Sequence, residues 1–150
     1  MNILCVCLGN ICRSPAAEAI LSKKLQIAGI KNFHVDSAGT SAYHQGEPAD
    51  SRMLAALTRH NYPSTSLSRK VTLQDFQTFD LILAMDLSNL DNLRNFCQTD
   101  QERGKVFLMS QYTLDQETEV PDPYYGGEDG FETVIKLLER MSEAFVEKLN

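Results

Sequence analysis

A chain of 150 residues fits one domain, predicted over residues 1–150, with room for a core of its own. A composition of 43% hydrophobic and 23% charged residues excludes a disordered tail, a collagen-like chain and a coiled-coil rod. The net charge of −6 argues against a nucleic-acid partner, and four cysteines do not make a disulfide scaffold.

The apolar stretch from Met1 to Val6 soon gives way to Gly9, Asn10 and Arg13, and it is too short for a signal peptide. No run reaches the ~18–20 apolar residues of a membrane helix. The expectation is a cytoplasmic protein with reduced thiols and no membrane partner.

Short apolar runs alternate with helical patterns. Asn2 to Val6 reads as the first strand. Ser14 to Ala28 reads as the first helix, capped by Ser14, with Pro15 in its first turn and Gly29 at its end. Phe33 to Asp36 is a second strand, and Asp50 to Asn61 a second helix. The run Phe79 to Met85 suits a strand buried on both faces. Asp86 or Ser88 caps a helix that reaches about to Phe96, and Lys105 to Met109 is a fourth strand. Phe131, Val134, Ile135, Leu138, Met141, Phe145 and Leu149 recur at helical spacing and mark a last helix, with Glu132 and Lys136 as a surface pair. This order predicts an α/β fold: a small four-stranded parallel sheet with helices on both faces and a phosphate-binding loop between the first strand and first helix. Ala38 to Ala49 and Ser110 to Gly130 lack periodicity and read as long functional loops.

The segment Cys7-Leu8-Gly9-Asn10-Ile11-Cys12-Arg13-Ser14-Pro15 follows a strand and opens a helix. Such a loop gathers unpaired backbone N–H groups around one point, where an anion binds. Gly9 permits a tight or left-handed turn, and Asn10 tolerates the same conformation. Five residues separate Cys7 from Arg13. A loop curled around a tetrahedral anion puts the sulfur below it and the guanidinium fork beside it. That positive setting favours the thiolate, a nucleophile aimed at phosphorus. There is no lysine in the loop, so it is not a nucleotide P-loop.

The segment Val6 to Pro15 resembles the signature of the low molecular weight protein tyrosine phosphatases. The resemblance continues through Asp36-Ser37-Ala38-Gly39-Thr40, through Phe79 to Asp86, and through Asp122-Pro123-Tyr124-Tyr125. It implies hydrolysis of aryl phosphate monoesters through a phosphocysteine. In that scheme Cys7 is the nucleophile, Arg13 the phosphate clamp, and Asp122 the general acid and then base. Leu8, Gly9, Asn10, Ile11, Cys12, Arg13 and Ser14 surround the phosphate. Ser14 also helps the thiolate leave, and Ser14, Ser37 and Ser66 support the loop. Ser66 stands where many members carry a histidine that holds the loop asparagine. Cys12 is the implied disulfide partner of Cys7 on oxidation. Tyr43, Tyr124 and Tyr125 form the wall that selects an aryl ring. His34, His44 and His60 read as surface or edge residues, and Cys5 as core.

The implied partner is a phosphotyrosyl protein, with phosphate and vanadate as inhibitors. No metal or organic cofactor is expected, since the cysteines and histidines lack zinc spacing. A monomer is expected, with a weak dimer through the aromatic mouth as the alternative. Two rival functions are weighed. Arsenate reduction needs further cysteines after the third strand, yet Met85 to Phe96 has none and Cys97 stands alone. A non-catalytic phosphotyrosine-binding module has no use for the intact Cys7, Arg13 and Asp122.

Overall fold

The computed structural model describes residues 1–150. Four strands form one sheet: β1 (Asn2–Cys7), β2 (His34–Gly39), β3 (Leu81–Ala84) and β4 (Val106–Leu108). All pairings are parallel, in the order β2-β1-β3-β4. The chain leaves β1 for β2 on one side, then crosses back to β3 on the other. The crevice outside the carboxyl end of β1 is therefore the switch point where such sheets bind ligands.

Seven helices surround the sheet: α1 (Arg13–Ile27), α2 (Ser51–Arg59), α3 (Asp75–Thr78), α4 (Leu87–Phe96), α5 (Asp100–Arg103), α6 (Met109–Leu114) and α7 (Glu128–Leu149). The period of two along β1 sends Ile3, Cys5 and Cys7 to one face and Leu4 and Val6 to the other. Both faces are covered. The first set packs with α1, α2 and α7 in the larger core. The second packs with Phe76 of α3 and with Leu90 and Leu93 of α4. Phe131, Val134, Ile135, Leu138, Met141 and Phe145 line the inner face of α7 at 0–1% exposure. Each such side chain contributes about 1.5–3 kcal/mol by leaving water. No helix is long and apolar enough to cross a membrane.

Three local expectations are corrected. Ser14 does not cap α1; the helix already begins at Arg13, and the hydroxyl turns inward instead. The second aperiodic stretch contains α6, whose six residues are too few to show a helical period. Glu132 does not pair with Lys136. Its carboxylate spans to the end of α2, accepting from Arg59 Nη2 at 2.8 Å and meeting His60 Nε2 at 2.6 Å.

The hydrogen bonds from His60, then Arg59, hold the Glu132 carboxyl below its ordinary value. A carboxylate depressed in the folded state stabilises above the unfolded carboxylate range. That stability is lost as pH falls through the folded value. Glu132→Gln is expected to lower the thermal midpoint at pH 7 by about 1–3 °C. The gap from wild type should close on acidification below about pH 4. Calorimetry across pH checks this, and a gap independent of pH would refute it.

Candidate active site

Cys7 ends β1 and is 2% exposed. The residues Leu8 to Cys12 then curl before α1 begins. Asn10 makes the turn in the left-handed region, at φ 57°. Gly9 does not use that region, as the sequence had suggested it could. It lies instead against His44, where a Cβ would come 3.2 Å from the imidazole Cδ2. Gly39, at the end of β2, is required for close approach: a Cβ there would sit 2.7 Å from Leu8 O.

Five of the six loop carbonyls, all but that of Asn10, are tied down by donors outside the loop. Thr40 N–H donates to Cys7 O, Ser41 N–H to Leu8 O, and Asp50 N–H to Ile11 O. Ser68 Oγ donates to Gly9 O at 2.9 Å, and Ala16 N–H to Cys12 O. None of the N–H groups of Leu8 to Cys12 donates to another part of the chain. Fixing the oxygens outward leaves those donors facing the hollow, which suits a tetrahedral anion.

Side chains hold the same shape. Asn10 Nδ2 donates to Ser14 Oγ at 2.8 Å, while Asn10 Oδ1 accepts from Arg69 N–H at 3.0 Å. Ser66 makes neither contact. The segment meets the loop two residues further on, at Ser68 and Arg69, roughly 6–7 Å along an extended chain. Ser37 also faces elsewhere, donating to Glu18 Oε1 at 2.7 Å. Burial raises the Glu18 carboxyl above its ordinary value. Of the three serines read as loop supports, only Ser14 contacts the loop.

Ser14 Oγ lies 3.1 Å from Cys7 Sγ and 3.2 Å from Ala38 O. It has one proton to give. With a thiol at Cys7, S–H donates to Ser14 and O–H to Ala38. With a thiolate, Ser14 O–H can turn to the sulfur.

Arg13 is 3% exposed. Its Nη1 donates to Asp86 Oδ2 at 2.6 Å and to Val120 O at 3.2 Å, and its Nη2 lies 3.6 Å from Asp122 Oδ2. Burial works against the charge. Cys7, Asp86 and Asp122 outweigh it and hold the guanidinium above its ordinary value. Asp86 is a site residue the sequence reading placed only as a helix cap. It does both: Oδ1 caps α4 by accepting Asn89 N–H at 2.7 Å, and Oδ2 orients Arg13.

Asp122 hangs over the hollow from the loop before α7. Val120, 1% exposed, anchors that loop by donating from its N–H to Met85 O at the end of β3. Asp122 Oδ1 accepts Tyr124 N–H at 3.1 Å, a turn that leaves Oδ2 toward Arg13. The whole encloses a cavity of about 460 Å³ lined by Cys7, Leu8, Gly9, Ile11, Cys12, Arg13, Ser41, Tyr43, His44, Asp122, Tyr124 and Tyr125. Tyr43 and Tyr125 stand out in solvent at the rim, 88% and 93% exposed. His44 joins this lining, contrary to its reading as an ordinary surface residue. Its Nδ1 meets Glu47 Oε2 at 2.5 Å, and its ring lies 6.3 Å from that of Tyr124. Its place beside Tyr43 in sequence was the one available signal.

The family model for "low molecular weight phosphotyrosine protein phosphatase" matches residues 2–150. The chain belongs to this family. It is 44% identical over 149 residues to the human low molecular weight phosphotyrosine protein phosphatase, covering 98% of this chain and 94% of the relative. A solved protein tyrosine phosphatase from Entamoeba histolytica superposes with a TM-score of 0.94 at 47% identity, covering 99% of this chain and 96% of that one. An arginine phosphatase of Drosophila shares the fold at 32% identity, with a TM-score of 0.93 over 100% of this chain and 98% of its own. As a low molecular weight phosphatase, the chain has cysteine-based protein-tyrosine phosphatase activity.

The fold offers no support for the thiol relay that arsenate reduction would need. Cys7 and Cys12 belong to the core on one face of the sheet, while Cys97 is buried in the core on the other. No thiol relay runs between them. All four cysteines are free.

Proposed function

We propose that the chain hydrolyses phosphotyrosyl proteins in the cytoplasm by a two-step displacement at Cys7. The carrying observation is that the Cys7 sulfur, the Arg13 fork, the Asp122 carboxyl and a ring of free N–H groups face one cavity. In the first step Cys7 Sγ attacks phosphorus in line with the aryl oxygen. The P–O bond breaks, Asp122 gives its proton to the departing oxygen, and a phosphocysteine forms. In the second step the Asp122 carboxylate takes a proton from water, whose oxygen attacks phosphorus. The S–P bond breaks and Ser14 O–H donates to the leaving thiolate. Phosphate then leaves. The chemistry requires no metal or organic cofactor.

An aryl group suits the lining. Leu8, Ile11, Tyr43 and Tyr124 present apolar surface to the substrate, and Tyr125 extends it at the rim.

Asp122→Asn tests the assignment. It keeps the turn to Tyr124 N–H but cannot supply a proton. The expected result is a fall of about 10²–10³-fold in kcat/KM for phenyl phosphate and a smaller fall for nitrophenyl phosphate, whose leaving group needs less help. Equal falls on both substrates would refute the role.

Cys12 is 4% exposed, and burial, then Asp50, pushes its thiol up to about 12, so it stays protonated at neutral pH. Hydrogen peroxide would convert the Cys7 thiolate to a sulfenic acid with release of hydroxide. Condensation with the Cys12 thiol would give a disulfide and water. Wild-type activity is expected to return with dithiothreitol after peroxide treatment, and Cys12→Ser to recover little. Equal recovery in both would remove Cys12 from this role.

A further inference from the structure

The loop that carries Asp122 is also held from outside the cavity. Arg52 is the second residue of α2, and its Nη2 donates to Tyr124 O at 2.8 Å. The same guanidinium engages both oxygens of Asp50, from Nε at 3.1 Å and Nη2 at 3.0 Å. It sits 5.4 Å from the Tyr124 ring centroid and 4.9 Å from that of Phe131 on α7. Phe131 is buried, so one side of the fork rests on the core.

Asp50 is itself fixed at both ends. Its Oδ1 caps α2 by accepting Arg52 N–H at 2.8 Å. Its own N–H donates to Ile11 O in the phosphate loop at 2.7 Å. A continuous path of hydrogen bonds therefore runs from the phosphate loop through Asp50 and Arg52 to Tyr124. Tyr124 closes the turn that orients Asp122, through its N–H on Asp122 Oδ1. Holding Tyr124 O fixes the peptide that follows the turn, and so restrains Tyr124, whose N–H Asp122 Oδ1 accepts.

We infer that Arg52 is a positioning residue for the general acid, locking the Asp122 turn to the phosphate loop. An isolated surface ion pair would contribute little here. A planar fork that reaches a carboxylate and a carbonyl together, and lies against two aromatic rings, acts through geometry instead. Lysine, a point donor on a flexible stem, cannot span the same acceptors. The inference rests on Asp122 being the general acid, and its test separates the two.

The quantity to measure is kcat/KM for a series of aryl phosphates with leaving groups of increasing basicity. It reports every step up to departure of the phenol, where the general acid acts. The variants are Arg52→Ala, Arg52→Lys, Asp122→Asn and the Arg52→Ala/Asp122→Asn double variant, each checked for its thermal midpoint. Asp122→Asn should steepen the dependence on leaving-group basicity. Both Arg52 variants should steepen it partway, with about a tenfold loss on the poorest leaving group and about twofold on the best. In the Asp122→Asn background, Arg52→Ala should cost about twofold or less on every substrate. Losses in the Arg52 variants that are equal across leaving groups, or that persist undiminished in the Asp122→Asn background, overturn the inference and leave the role of Asp122 standing. An unchanged dependence in Asp122→Asn overturns both.

Discussion

Cys7→Ser is expected to lose turnover by roughly 10⁴-fold or more while still binding phosphate. The exchange replaces one sulfur by oxygen at a position 2% exposed, with Ser14 Oγ 3.1 Å away, so little packing is disturbed. The free N–H groups of Leu8 to Cys12 and the Arg13 fork, which form the proposed anion site, are untouched. What is lost is the nucleophile, because an alcohol is not ionised at neutral pH and is a poor leaving group in the second step. Hydrolysis of phenyl phosphate and calorimetric titration of inorganic phosphate measure the two properties separately. Residual turnover within tenfold of wild type would remove Cys7 from the reaction, whereas a complete loss of phosphate binding with the fold intact would overturn the assignment of the anion site to the loop N–H groups and Arg13.

Arg13→Lys is expected to lose about 10²–10³-fold in kcat/KM, with inhibition by phosphate and vanadate weakened in parallel. Arg13 gives Nη1 to Asp86 and to Val120 O and keeps Nη2 toward the hollow. A lysine keeps the positive charge but not the two-pronged shape that matches two phosphate oxygens as charge develops. It also leaves Asp86 with a poorer partner. Because Asp86 still caps α4, the fold should persist. Arg13→Ala would go further, leaving a largely buried carboxylate without its cation, and should lower the thermal midpoint as well. Comparing inhibition constants for phosphate across Arg13, Arg13→Lys and Arg13→Ala separates charge from fork. Equal values in wild type and Arg13→Lys would mean that charge alone serves.

The arrangement also explains how an acidic chain would hold an anion. The net charge of −6 is spread over the surface, whereas the site sums a few fixed donors at short range. Asp86 and Asp122 close to the site do not defeat it, because Arg13 sits between them. Asp86 orients the cation, and in the proposed mechanism Asp122 supplies the proton.

The sequence by itself determined the local features: the strand that ends in Cys7, the loop of N–H groups, and a helix opening within reach of Arg13. All lie within a dozen residues, and backbone geometry alone builds them. The alternating elements were legible for the same reason, through the period of two in β1 and the helical repeat from Phe131 to Phe145. Only the tertiary structure decided which distant groups meet. Asp86 reaches Arg13 across 73 residues, and Arg69 N–H reaches Asn10 across 59, three positions beyond the serine that the sequence nominated. Arg52 reaches Tyr124 O across 72, and His44 enters the lining from a loop with no period. Loop side chains have no repeat that announces their direction. They point where packing against other segments sends them, and that packing exists only once both cores have closed on the sheet.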